Sequence, residues 1–549
     1  MSTIRILISY SEAKCVGDPL DNKNFQFKFF NLNEYDRPSF YKLIREYRPD
    51  IIFTVGENKS KILSELSFNW RKRWSHVSTF DKITDKFIEK CFIHSIYHKD
   101  PNHPLISVVS TTYRSGDKIF RPYKSLIESS YNNWEWIVYD DSDDSDTTWN
   151  TLLGLYETDY RITLIKSNKN DGIIGSVKFK ASMMAQGDYI AEFDHDDLLH
   201  KDTLRWLVDA GKLYPDAGFL YTNTCPIYEE TGKSLVYGEF IGFGYAGYEA
   251  IKLDNKWMYC LLTAKLNPTT IRHLVGLPNH LRVWRTEHYR KVSGNNPRLS
   301  VADDYELLVK SFLETRYVYI PEPGYIQYHN TGGNNFTYIR NSMIQILVRY
   351  VYNHYQPKIL ERFNQLGTAA HVHRAKCWEA VKETHYPTFE HVYFPNIEKT
   401  VSIILPLVEY KNNLLEKLAN LINILNKQTY THWRLHISAS GIKQLTGIMD
   451  TLLPICDSRV RWWNMNENAE NIKTTATNYA LKIMAKSKYI SYVRLNSKWS
   501  ENRLQELMNG IGQKDCFVDR ADLIHLNSDK YSYWLPEENK EEFVKRCNI

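Results

Sequence analysis

From Leu105 onward the chain alternates apolar runs with stretches of helical periodicity. The runs are LISVVSTTYR (105–114), WEWIVYDD (134–141), RITLIKSN (161–168) and DYIAEFD (188–194), with helical patterns at about 118–130 and 174–186. Strands separated by helices predict a parallel sheet with crossover connections. Each run is apolar in the middle and polar at its carboxyl end. In an open α/β sheet, ligands bind beyond those ends. The ends hold Thr111, Tyr113, Asp140, Asp141, Asp194 and Asp196.

The pattern restarts at 401. VSIILP (401–406) answers ISVVST (106–111), QTYTHWRLHIS (428–438) answers SSYNNWEWIVY (129–139), and RVRWWN (459–464) answers RITLIK (161–166). YISYVRLNS (489–497) answers YIAEFDHDD (189–197). This is an internal repeat of roughly 100 residues. The second copy lacks the carboxylates: Ser438-Ala439-Ser440 stands for Tyr139-Asp140-Asp141, and Asn496 for Asp196.

At 549 residues the chain is too long for one core. Residues 1–100 open on an apolar run, Ile4 to Ser9, then a helical pattern near 39–47 and RPDIIFTVGE at 48–57. Those elements predict a small Rossmann-like α/β domain. No G-x-G-x-x-G follows, so no ligand is assigned to it. The expected division is 1–100, 101–340, a helical linker at 341–398, and 399–549. A net charge of +5 neither demands nor forbids nucleic acid. The eight Cys form no C-x-x-C pair, which predicts a reducing compartment. No run approaches 18 apolar residues and the N-terminus has no leader pattern. The expectation is a cytoplasmic protein without a transmembrane segment.

The chemistry concentrates in acidic residues. Asp194-His195-Asp196 stops a buried strand. Two carboxylates at i and i+2 there can face one cation, and hard oxygen donors suit Mg²⁺ or Mn²⁺. The alternative is that Asp196 or Asp197 caps a helix beginning near Leu198. ADDYELLVK (302–310) sets Asp303 and Asp304 at a helix start, where the helix dipole favours negative charge. Asp143, Asp144 and Asp146 read as a solvated turn. His329, in YIQYHNTGGNN, is a candidate ligand or base. The absence of G-x-x-x-x-G-K-[ST] disfavours phosphoryl transfer of the P-loop kind.

The order ISVVSTTYR, SSYNNWEWIVYDDS, NDG, AQGDYIAEFDHDD, RVWRTEHYRKVSG, ADDYELLVK and QYH resembles the family 2 glycosyltransferases of GT-A fold over residues 105–335. The resemblance implies an α/β fold with a mixed, mostly parallel GT-A sheet flanked by helices. It makes 101–340 the catalytic domain and 399–549 a degenerate, noncatalytic GT-A-like domain. The activity it implies is an inverting, metal-dependent sugar transfer from a nucleoside diphosphate donor, UDP above all, to a hydroxyl acceptor. Asp194 and Asp196 match the family's Asp-x-Asp motif, with Mn²⁺ or Mg²⁺ as the cation and Asp196 its first ligand. Asp304 matches the catalytic base, with Asp303 in the place of a Glu. His329 matches a His that reaches the metal or diphosphate. Thr111 and Tyr113 match positions lining the nucleobase, and Asp141 or Asp140 the carboxylate near uracil and ribose. Lys178 matches a basic position near the diphosphate, although the usual Arg-Asn reads Lys178-Phe179.

The implied partners are a nucleotide-sugar and a glycan, lipid-linked or other hydroxyl acceptor, met by loops within 225–300. Arg272, His273, His280 and Arg282 are candidates for an anionic acceptor, with surface salt bridges as the equal alternative. Two other readings stay open: glycosylation of a modified nucleic-acid base, and a noncatalytic sugar- or partner-binding module. The second copy is open to roles in support, acceptor binding or homo-oligomer formation.

Overall fold

The computed structural model describes residues 3–10, 24–56, 61–236, 247–263, 266, 268, 270–330, 339–367, 390–407, 413–440, 442, 445–465, 487–511, 516–519 and 523–527. The chain divides into two compact units. One comprises Met1–Leu220, His280–Tyr317 and Ser342–Val351; the other comprises Tyr221–Asn279, Val318–Asn341 and Tyr352–Ile549. Among the described residues no helix is long and apolar enough to cross a membrane.

The first unit holds two sheets. Strands Ile4–Tyr10, Phe25–Phe30, Ile51–Val55 and Trp74–Val77 pair in parallel, in the order second, first, third, fourth. Ile51–Val55 is buried throughout, as a parallel strand covered on both faces must be. Helix Arg37–Tyr47 starts on Asp36, whose carboxylate accepts from Ser39 N at 3.0 Å. This sheet is fastened to the next by Arg45, whose guanidinium donates to the carbonyls of Asp159 and Ile162. The Tyr160 ring completes the attachment by entering the N-terminal core against Tyr41 and Trp70.

In the second sheet the central strand Ile106–Thr112 lies parallel between Trp134–Asp140 and Tyr189–Glu192, with Ile162–Lys166 beyond Trp134–Asp140. Strand Arg282–Arg285 adds antiparallel to Tyr189–Glu192. All four expected strands are present, and helices Phe120–Ile127, Thr147–Thr158 and Ile174–Met183 follow the first three. Gly187 brings the start of the fourth strand against the first. A Cβ there would stand 2.5 Å from the Leu105 carbonyl oxygen and 2.7 Å from Ser107 Oγ.

The second unit repeats this strand order. Val401–Leu407 lies parallel between Trp433–Ser440 and Tyr489–Tyr492, Val460–Met465 lies outermost, and Leu523–Asn527 is antiparallel to Tyr489–Tyr492. Small geometric details recur with it. Phe193 N donates to Val109 O at 3.0 Å, and Val493 N to Ile404 O at 3.1 Å. Arg161 is ion-paired to Asp159 and lies 3.6 Å over the Trp134 ring; Arg459 is ion-paired to Asp457 and lies 3.9 Å over Trp433. The outer edge of this sheet also carries Tyr248–Leu253, antiparallel to Val460–Met465 and hairpinned with Lys256–Leu261. Of the stretch expected to be helical at 341–398, Asn341–Gln365 is a helix and Glu390–Val392 a short strand. Residues 368–389 lie outside the described residues, as do the Gly-rich 331–335 and 242–246.

Candidate active site

Strand Tyr189–Glu192 ends beside the central strand, and its exit is fixed on both sides. Phe193 N donates to Val109 O, and Ser110 Oγ donates to Phe193 O at 2.7 Å. The chain then turns through Asp194, His195 and Asp196, all half-buried. Asp194 keeps 36% of its side chain exposed, with Oδ2 3.8 Å from His280 Nε2. His195 Nδ1 lies 2.8 Å from Ser115 Oγ. The carbonyl of Asp196 accepts from the Arg121 guanidinium. The capping alternative for Asp196 and Asp197 fails. Leu198–Leu199 is a short strand, and the helix begins at Thr203 with Asp202 in the N-cap place.

Behind the turn lies a residue that the sequence reading missed. Glu192 closes the strand, only 12% exposed, directly opposite Arg282 in the antiparallel pair. Its carboxylate pairs with Lys178 from helix Ile174–Met183, stands 3.5 Å from Arg282 Nη1, and 3.9 Å from His280 Nε2. Burial alone would raise its pKa, but Lys178, Arg282 and His280 together hold it well below the usual carboxylate range. Arg282, expected to meet an acceptor or a surface carboxylate, is paired to carboxylates of its own unit. It is 2% exposed because its strand is covered, and it spends its charge on Glu192 and Asp304. His280 is likewise turned to Glu192 and Asp194, and burial and Arg282 lower its pKa.

Arg282 Nη1 also donates to Asp304 Oδ2 at 2.9 Å. Asp303 and Asp304 open helix Asp303–Glu314 after Ala302, which has φ +61°. Their environments differ. Asp303 is 2% exposed and accepts from Asn295 Nδ2 at 2.8 Å. Burial raises its pKa, and Asp304 and Glu192 add to that against the pull of Lys178. The Asp304 side chain keeps a quarter of its surface exposed. Burial works against its ionised form too, yet Arg282 and Lys178 win and keep its pKa below the ordinary value. Adjacent carboxyls are thus shifted in opposite directions, Asp303 toward holding its proton and Asp304 toward releasing it.

A small cavity is lined by Thr111, Lys178, Glu192, Asp194, Trp284 and Asn295, among others. It joins three of the expected site residues, Thr111, Lys178 and Asp194. The other strand-end carboxylates have structural employment. Asp140 Oδ1 accepts from Thr112 Oγ1, Ser142 N and Ser142 Oγ. Asp141 accepts from Asp171 N at 2.9 Å and Gly172 N at 3.4 Å, and so holds the Asn-Asp-Gly turn. Gly172 has φ +68° there, which suits glycine. Arg114, ion-paired to Asp143 at 2.6 Å, lies 5.1 Å from the Tyr113 ring. His329 belongs to the second unit, buried with Nε2 3.2 Å from Gln327 Oε1. Arg272 belongs there too, over the Tyr352 ring at 5.7 Å. The His273 side chain lies outside the described residues.

Among the described residues no three His, Cys, Asp or Glu side chains converge to hold a metal ion on their own. A Mg²⁺ or Mn²⁺ needs only one or two protein carboxylates when diphosphate oxygens and waters complete its shell. Asp194 and Asp196 are of that kind. The local balance also admits a cation: Glu192, Asp194, Asp303 and Asp304 all act on Lys178, and Glu192, Asp194 and Asp304 on Arg282.

The profile described as Glycosyl transferase family 2 matches residues 107–266. Residues 107–266 carry a family 2 glycosyl transferase domain. Within the matched sequence fall the strand ends, Lys178, Glu192 and the Asp194–Asp196 turn. The domain is 34% identical over 124 residues to the putative colanic acid biosynthesis glycosyl transferase WcaA of Escherichia coli (strain K12). That match covers 22% of this chain and 43% of the relative. It is 32% identical over 133 residues to the putative teichuronic acid biosynthesis glycosyltransferase TuaG of Bacillus subtilis (strain 168), covering 24% and 48%. A third relative, the UDP-Glc:alpha-D-GlcNAc-diphosphoundecaprenol beta-1,3-glucosyltransferase WfgD of E. coli, is 29% identical over 157 residues, covering 29% and 58%. This chain thus spans less than two thirds of the length of each. The crystal structure of S. aureus TarS 1–349 with UDP-GlcNAc aligns with a TM-score of 0.35 at 17% identity. It covers 50% of this chain and 77% of that one, a likeness too slight to bear on chemistry.

Proposed function

We propose that this chain is an inverting glycosyltransferase that moves a sugar from a UDP-sugar to a hydroxyl acceptor, with Asp304 as general base. The observation that carries the reading is the state of Asp304. It is partly open to solvent, stands at a helix start, and accepts from Arg282, which favours its ionised form. As the acceptor oxygen bonds to the anomeric carbon, the bond from that carbon to the diphosphate oxygen breaks. The hydroxyl proton passes to Asp304, and UDP leaves with the bonding pair. One base suffices for a single displacement, which inverts the centre, whereas a glycosidase sets two carboxylates in acid and base roles. Asp194 and Asp196 are the residues that would hold Mn²⁺ or Mg²⁺, which as a Lewis acid offsets charge on the departing diphosphate. Thr111 and Tyr113 would flank the base of the nucleotide. Lys178, committed to Glu192, would act on the diphosphate through the local field.

The name of the WfgD relative supports UDP and a lipid diphosphate-linked acceptor. The C-terminal copy would be noncatalytic, since Ser438, Ala439, Ser440 and Asn496 stand where the first copy has its strand-end residues. The test is release of nucleoside diphosphate from a panel of nucleotide-sugars with Mn²⁺. Transfer by the wild type and its loss in Asp304→Asn and Asp196→Asn are expected. No turnover with any donor, or full activity in Asp304→Asn, would overturn the reading.

A further inference from the structure

Glu192 touches neither the proposed base nor the solvent-facing part of the turn, yet three elements meet at its carboxylate. Lys178 arrives from helix Ile174–Met183, Arg282 from the antiparallel strand, and His280 from the residues before it. An ionised carboxylate inside a strand is costly without counter-charges. Here the counter-charges are the same cations that govern Asp304. Arg282 Nη1 stands 3.5 Å from Glu192 Oε2 and 2.9 Å from Asp304 Oδ2, so one guanidinium nitrogen is shared by two carboxylates. Lys178 has Glu192 as its direct partner, while Asp303, Asp194 and Asp304 act on it from farther away.

We propose that Glu192 is a positioning residue that divides the charge of Lys178 and Arg282, keeping both cations from neutralising Asp304 and Asp194. This rests on the glycosyltransferase reading above. Without the Glu192 carboxylate, Lys178 has no counter-ion in contact. The field of Asp303, Asp194 and Asp304 then draws it toward the carboxylates that transfer needs. Arg282 likewise pairs with Asp304 alone, and a fully paired carboxylate is a poorer proton acceptor. Thr111 and Tyr113 are the residues assigned to the donor's base, and Glu192, which lines the same cavity as Thr111, is assigned only the cations at the reacting end. The change therefore falls on kcat more than on KM for the donor.

The experiment compares wild type, Asp304→Asn, Glu192→Gln and Glu192→Asp in the same transfer assay, with thermal unfolding of each. Glu192→Gln keeps the shape and removes the charge. It is expected to lower kcat by about 10- to 100-fold with donor KM within about 2-fold, the size of loss usual for a partner that orients a reacting group. Glu192→Asp restores the charge and is expected to recover kcat at least about 5-fold over Gln. A purely structural Glu192 would lower the melting temperature and the active fraction of both variants alike, without rescue by Asp. That result, or unchanged kcat in Glu192→Gln beside an active wild type and an inactive Asp304→Asn, overturns this assignment and leaves the general reading standing. An inactive wild type, or an active Asp304→Asn, overturns both.

Discussion

Replacing Arg461 by Met should loosen the second unit by about 3–4 kcal/mol, and the buried charges around it give that figure in two ways. Arg461 is 4% exposed, with Nη1 2.9 Å from Glu249 Oε2 and Nη2 2.7 Å from Glu322 Oε2. Arg434 supplies Glu322 with a second partner at 2.8 Å, whereas among the described residues Glu249 has besides Arg461 only His436, 3.8 Å away. The variant therefore leaves Glu322 paired and Glu249 stranded. Stripping one partner from a buried ion pair costs about 3–5 kcal/mol. Glu249 can escape by taking a proton. From an ordinary carboxyl affinity near 4.3, protonation at pH 7 costs about 3.7 kcal/mol at ~1.36 kcal/mol per unit, which caps the loss. The double variant Arg461→Met/Glu249→Leu removes the stranded charge and should regain at least about 2 kcal/mol of it. Amide exchange of strand Val460–Met465 reads the effect locally, without requiring the whole chain to unfold in one step. Protection should fall about 140- to 700-fold in the single variant, following ~1.4 kcal/mol per factor of ten. Glu398→Gln, at a pair in which Glu398 is 70% exposed, is the control and should change little. A loss under about 1 kcal/mol in Arg461→Met, or no recovery in the double variant, would refute the reasoning.

Burial holds the His436 imidazole down to about 4 despite its contact with Glu249, while Arg434 and Arg461 add to the depression. Its folded affinity for a proton is then below that of the unfolded chain, near 6.5, so this contribution is complete above about pH 6.5 and is lost as pH falls toward 4. Urea midpoints across that range should slope less in His436→Leu than in the wild type, and equal slopes would sink the assignment. Gly175 opens the helix that carries Lys178, and a Cβ there would lie 2.2 Å from Asn296 O and 3.0 Å from Asp303 Cβ. Gly175→Ala should therefore cost about 1–3 kcal/mol in thermal unfolding and lower transfer by displacing the start of the Asp303 helix. Asn496→Ala should leave kcat unchanged, since the second copy is assigned no chemistry, and a loss matching that of Asp196→Asn would contradict this.

The strands were legible because their middles are buried. ISVVSTT, WEWIVYD and VSIILPL carry apolar runs that few other structures would use, and the repeat could be aligned on them. Asp303 and Asp304 were legible as a helix start because acidic residues suit that dipole. Glu192 was not, because its meaning depends on Arg282, ninety positions later, and on a register that no local pattern specifies. One signal was available. YIAEFD sets a carboxylate in a strand buried at Tyr189, Ile190 and Ala191, and such a residue requires a cation to be found for it. Asp141 carries a local task that the sequence did not signal. Its place at a strand end suits a ligand, and the amides of Asp171 and Gly172 take up much of its capacity.

The two sheets share an order, and the places where they differ show what became of the second copy. The Arg-Asp pair over a Trp is present in both. At the strand ends the carboxylates give way to Ser438, Ala439, Ser440 and Asn496. In the middle of the strands the exchange runs the other way. His436 and Arg461 occupy the places of Ile137 and Thr163, and Arg434 that of Glu135, by the sequence alignment. These polar groups receive Glu249 from the strand paired beside Val460–Met465 and Glu322 from strand Arg316–His329. Lys252 donates to the carbonyls of Leu453 and Cys456, and Trp257 Nε1 to that of Met449. Polarity has thus moved from the carboxyl ends, where it would meet a ligand, to the interior, where it fixes residues 248–261 and 322 onto this sheet. Buried ion pairs add little net stability over apolar packing, but a wrong register leaves them unpaired at several kcal/mol. A sheet altered in this way selects one arrangement of the segment inserted between the two halves of the first unit.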